Sequence, residues 1–138
     1  MRFGRVNVLA GALGLLIGSM GGLALGATFD RYATKDGFHL LTLTRFYLRE
    51  GHSHMMPLAL LNLSIGLLVD RLVLGDVWKR ACSWLAVAAF VLPLGLAAKG
   101  AANATPDFPP IGMVGVVGFV GATLLLAIGA WRIKQTDD

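Results

Sequence analysis

Apolar positions in this chain are gathered into four long runs, and the polar positions between them fall in short segments. The first run, Val6 to Phe29, exceeds the roughly 20 helical residues needed to cross a hydrocarbon core and predicts a spanning helix. Arg2 and Arg5 ahead of it, and Leu25-Gly26-Ala27 near its end, also have the form of a secretory leader. The run is too long for that reading, because a cleaved leader has an apolar stretch of roughly 7 to 15 residues.

Asp30 to Glu50 is the longest polar connection, and its second half, Phe38 to Glu50, mixes aromatic and charged residues in the manner of an interfacial helix. The second spanning run goes from about His54 to Leu74. The third extends from about Trp78 to Ala98, with Pro93 as an internal kink candidate. A loop rich in Gly, Pro and small residues follows over 100–110, and Ile111 to Ile133 predicts the fourth helix. The expected fold is all-α: a single transmembrane domain over residues 1–138, built as a four-helix bundle with an interfacial helix between helices one and two.

Composition agrees with this pattern. The chain is 56% hydrophobic and 14% charged, against roughly a quarter charged in soluble domains, so lipid is its expected solvent. The net charge of +4 does not point to nucleic acid, because the cations lie in separate segments and form no single basic face. Arg2, Arg5, Arg71, Lys79, Arg80, Arg132 and Lys134 fall on the side of the two termini; Arg31, Lys35, Arg45, Arg49 and Lys99 fall opposite. That excess predicts cytoplasmic termini, in a bacterial inner membrane. Trp78 and Trp131 then take interfacial positions on the inner side. A lone cysteine, Cys82, supplies neither a disulfide nor a metal pair.

Two helices carry glycine stripes. Gly14, Gly18, Gly22 and Gly26 recur every four residues in helix one, and Gly112, Gly115, Gly118 and Gly121 every three in helix four. Both faces are suited to close helix contact and are expected to pack tightly; a flat cofactor or a lipid tail lying on the glycine surface is the other use.

Ionisable residues at spanning helices are costly and mark candidate sites. They cluster in Arg45, Tyr47, Arg49, Glu50, His52, His54, Met55 and Met56, leading into helix two, with Asn62 beyond. If Pro57 opens the helix, an extended lead-in lets His52 and His54 chelate one ion, with the thioethers of Met55 and Met56 completing a copper site. If the helix is continuous, residues two apart point about 200° apart. His54 then joins Glu50, Tyr47 and Asn62 in one polar stripe. An imidazole there suits haem iron, with Arg45 and Arg49 as partners for propionates and His39, Met20 or Met113 as candidate second ligands. The plainer reading gives these residues capping, snorkelling and space-filling roles. No phosphate loop, nucleophile elbow, zinc-protease motif or paired carboxylates is present, so hydrolytic chemistry is not expected.

The glycine-rich first helix, the aromatic and basic loop, and Arg49-Glu50-Gly51-His52-Ser53-His54 opening an apolar helix resemble a family of small four-helix bacterial membrane proteins of unknown function. The resemblance covers roughly Gly22 to Val69. More remotely, the element is similar to the histidine-bearing second helix of haem-copper oxidase catalytic subunits and of a haem- and copper-containing membrane family linked to nitric oxide tolerance. The resemblance implies His54 or His52 as a haem ligand. Because no histidine follows His54, it does not imply a complete oxidase.

The expected function is binding of haem b or copper near the outer membrane surface, in electron transfer or metal handling. A non-catalytic accessory subunit is the second expectation, packed in a homo-oligomer or against a larger respiratory or photosynthetic membrane complex. A small transporter using the Tyr47, Glu50, His54 and Asn62 stripe is the third.

Overall fold

The computed structural model describes residues 1–28, 43–102 and 104–136. They form five helices: α1 (Arg5–Ala27), α2 (Leu43–Leu68), α3 (Asp76–Ala88), α4 (Val91–Ala102) and α5 (Gly112–Thr136), with one 3₁₀ turn at Val69–Arg71. No strand occurs among the described residues. Four stretches are long and apolar enough to cross a membrane: Arg5–Ala27, Leu43–Arg71, Asp76–Ala102 and Gly112–Ile133. The protein is an integral membrane bundle, and its outward leucines, Leu9, Leu13, Leu16 and Leu23 on α1 among them, face the lipid.

The second span starts about three turns earlier than the apolar run suggests. Leu43 to Glu50, expected as part of a separate interfacial helix, is continuous with α2; the remainder of that segment, His39 included, lies outside the described residues. Pro57 does not open α2. It lies inside the helix at an exposed position, where the loss of one bond to the Ser53 carbonyl is tolerated. Pro93 acts differently. It cannot donate to the Ala89 carbonyl, the Leu92 N–H takes that carbonyl at 3.2 Å instead, and the third span divides into α3 and α4 at Ala89 and Phe90.

The helices pack α1 on α2, α2 on α4, and α5 on α3 and α4. The α1 stripe meets α2 chiefly, and the α5 stripe meets α3 and α4. At Gly118 an added Cβ would lie 2.7 Å from the Leu85 carbonyl oxygen and 2.9 Å from the Ala89 nitrogen, so only glycine admits that approach. Near the termini, Ile65, Val69, Leu72, Cys82, Ala86 and Ala122 form the apolar core.

Deeper in the bundle a polar lock joins three helices. Asn7 Nδ2 donates to Asn62 Oδ1 and to the Ser83 carbonyl, both at 2.9 Å, and Ser83 Oγ donates to Asn7 Oδ1. Asn62 Nδ2 in turn donates to the Ala86 carbonyl at 2.8 Å. In lipid an unsatisfied amide costs several kcal/mol, so a saturated cluster holds helix register where apolar packing alone discriminates poorly.

Candidate functional site

Continuity of α2 through Pro57 decides the arrangement of its donor side chains. His52 and His54 lie on different faces, so the shared chelate expected of an extended lead-in does not form. His52 turns to α1, where its Nδ1 is 2.8 Å from the Gly18 carbonyl oxygen. His54 turns back along α2, with Nδ1 2.8 Å from the Glu50 carbonyl oxygen. A carbonyl only accepts, so Nδ1 is the donor in each contact, and the neutral form of each ring then has its lone pair on Nε2. A metal-binding imidazole is commonly oriented by just such a bond to a backbone carbonyl.

Helical spacing places Met55 and Met56, three and four residues after His52, on the same side of α2 as His52. All three converge on the α1 glycines. A Cβ at Gly18 would stand 2.7 Å from Met56 Sδ and 3.3 Å from Met55 Cγ, and one at Gly22 would stand 2.8 Å from His52 Cε1 and 3.2 Å from Nε2. Gly21 has open space above it. His52, Met55, Gly18, Gly21, Leu25 and Ala97 contribute to the wall of a largely apolar cavity of about 370 Å³ between α1, α2 and α4. Close approach of α4 at Gly51, where a Cβ would meet the Pro93 carbonyl oxygen at 2.9 Å, brings Pro93, Leu94 and Ala97 into its wall.

The remaining candidates are elsewhere. Arg45 is buried and caps α1: its Nη2 donates to the Leu25 carbonyl at 2.9 Å and its Nη1 reaches the Thr28 hydroxyl at 3.4 Å. Arg49 pairs with Glu50 at 3.3 Å on the exposed side of the helix. The four residues expected to cradle haem, His52, His54, Arg45 and Arg49, therefore do not converge on one volume. His54 lines a second cavity of about 300 Å³ with Glu50, Tyr47, Phe46, Leu92 and Phe108. Asn62 does not extend this stripe, because it belongs to the saturated Asn7 and Ser83 cluster.

Tyr47 and Lys99 pin the loop that precedes α5. The Tyr47 hydroxyl lies 2.9 Å from the Thr105 carbonyl oxygen and 2.8 Å from that of Asp107, and Lys99 Nζ is 2.8 Å from Asp107 Oδ2. The hydrogen bond from Lys99, aided by Thr105, holds the Asp107 carboxyl down to about 2.

No protein-family profile, curated protein or solved structure matches this chain. The functional reading therefore rests on the geometry of the donors.

Among the described residues no three His, Cys, Asp or Glu side chains gather as metal ligands. The set formed by His52, Met55 and Met56 is of another kind, one imidazole and two thioethers, and it contains no anion. Sequence reasoning named these residues but joined them to His54. It did not identify Gly18 and Gly22 as the positions they cover, although the four-residue glycine repeat marked the face on which they lie.

Proposed function

We propose that this protein binds a cuprous ion through His52, Met55 and Met56 and serves copper handling in a bacterial inner membrane, with both termini cytoplasmic and the site toward the outer face. One observation carries the reading: the imidazole of His52 and the thioether side chains of Met55 and Met56, soft neutral donors that suit monovalent copper, lie together against the Gly18 to Gly22 face of α1. The Gly18 carbonyl fixes the His52 tautomer with Nε2 as the donor. A neutral donor set leaves only the ion's single charge to be held in an apolar cavity, and charge is what such a cavity penalises. Thioethers favour the reduced ion, which favours metal handling over electron transfer. Haem is less well served, since Arg45 is engaged at the end of α1 and Arg49 with Glu50.

Anaerobic titration with a cuprous salt against a coloured chelator tests the proposal. Wild-type protein takes up one ion per chain. His52→Ala, and Met55→Leu with Met56→Leu, each lose at least the roughly 10- to 100-fold in affinity that loss of an outer hydrogen-bond partner costs a metal site. His54→Ala, on the other face, binds as wild type. Absence of copper uptake, or uptake that depends on His54 and not on the methionines, overturns the assignment.

A further inference from the structure

At the opposite end of the bundle, where the N-terminus and the end of α5 lie, a third cavity of about 480 Å³ opens between the start of α1 and α3. Arg2, Arg5 and Arg80 line it together with Phe3, Leu9 and Trp84. Arg2 is paired with Asp76 at 2.9 Å. Asp70, a second carboxylate among the described residues at this end, is taken by the backbone N–H groups of Arg2 and Phe3 at 2.8 and 3.0 Å. Arg5 and Arg80 have no acidic partner among the described residues. The cleft thus holds two guanidinium groups that no carboxylate among the described residues pairs with.

Both helices repeat one pattern along its walls. Leu9 follows Arg5 by four residues and Trp84 follows Arg80 by four, so on each helix an apolar side chain stands one turn deeper on the same face as the arginine. Leu9 and Trp84 are 56% and 58% exposed, and Leu13 carries the apolar wall further down α1. Positive charge at the level of the chain ends above an open apolar slot matches a molecule with a negative head and a hydrocarbon tail. We infer that this cleft binds an anionic phospholipid, its phosphate between Arg5 and Arg80 and an acyl chain between Leu9 and Trp84.

Native mass spectrometry of the full chain, released from nanodiscs of mixed phosphatidylglycerol and phosphatidylcholine, tests this. Wild-type protein retains phosphatidylglycerol in preference to phosphatidylcholine. Arg5→Gln and Arg80→Gln each reduce that preference about 5-fold, and together about 25-fold, from the contribution of each cation near an anionic headgroup. Arg132→Gln, at the same end but outside the cleft, leaves it unchanged. Trp84→Ala weakens retention without altering charge, which separates the slot from a merely basic surface. Inorganic phosphate at millimolar concentration does not displace the lipid. Equal retention of the two lipids by wild type, equal losses in Arg132→Gln and Arg5→Gln, or displacement by inorganic phosphate overturns the inference; circular dichroism of each variant establishes that the helices are intact.

Discussion

The two glycine stripes make different contacts. On α5, Gly115 and Gly118 lie against backbone: an added Cβ would meet the Leu92 nitrogen at 2.3 Å and the Leu85 carbonyl oxygen at 2.7 Å. On the half of α1 away from the termini, Gly18 and Gly22 lie against the ends of side chains, Met56 Sδ and the His52 ring. Small residues serve helix approach in the first case and make room for donor atoms in the second. The contrast runs within α1 as well, since Gly11, nearer the termini, meets the Ala59 carbonyl oxygen at 2.8 Å. The buried glycine face of α1 thus passes from a packing role at Gly11 to one that shapes a site at Gly18 and Gly22.

Substitutions sharpen that contrast. The largest effect is expected at Gly115→Ala and Gly118→Ala, where backbone cannot give way; overpacking of this kind costs about 1–3 kcal/mol, read as a lower midpoint in detergent-induced unfolding. Gly21→Ala, with nothing within 4 Å, leaves the midpoint unchanged. Next is Asn62→Leu, which removes the interhelical bonds to Asn7 and Ala86 and should lower stability by about 1–3 kcal/mol in the same assay. Gly18→Ala should leave the unfolding midpoint near wild type, because Met56 can swing aside, while cuprous affinity falls roughly 10-fold as the thioether is displaced. If Gly18→Ala lowers the midpoint as much as Gly118→Ala does, the distinction between the two stripes is lost.

The smallest effect concerns the Lys99 and Asp107 tether, which is exposed at the carboxylate. With the folded carboxyl at about 2 against an ordinary 3.8, any stabilisation is complete above about pH 3.8 and is lost as the pH falls through about 2. Carboxyl-carbon NMR should place the Asp107 midpoint near 2, and Lys99→Gln should return it toward 3.8.

Hydrophobic run length made the four spans legible, because a bilayer imposes a minimum that these runs satisfy. The start of α2 was obscured because Arg45, Arg49 and Glu50 break the apolar run without breaking the helix: Arg45 turns to the end of α1 and Arg49 pairs with Glu50, so the charges stay at the rim. The break at Pro93 was readable from the missing N–H. Of the site, the donor types were legible and their grouping was not. Pro57 suggested an extended lead-in, and only helical continuity assigns His52 to Met55 and Met56 and separates it from His54. Asn7 and Ser83 carried no strong signal in the sequence, since the first stands at the head of the first apolar run and the second near the start of the third; only the helix packing brings them to Asn62.

X-ray absorption at the copper edge of protein loaded with one cuprous ion tests the central claim most directly. The account predicts a first shell of two sulfur scatterers and one nitrogen, with sulfur lost in Met55→Leu combined with Met56→Leu. A first shell of nitrogen and oxygen alone, unchanged by those substitutions, would contradict it.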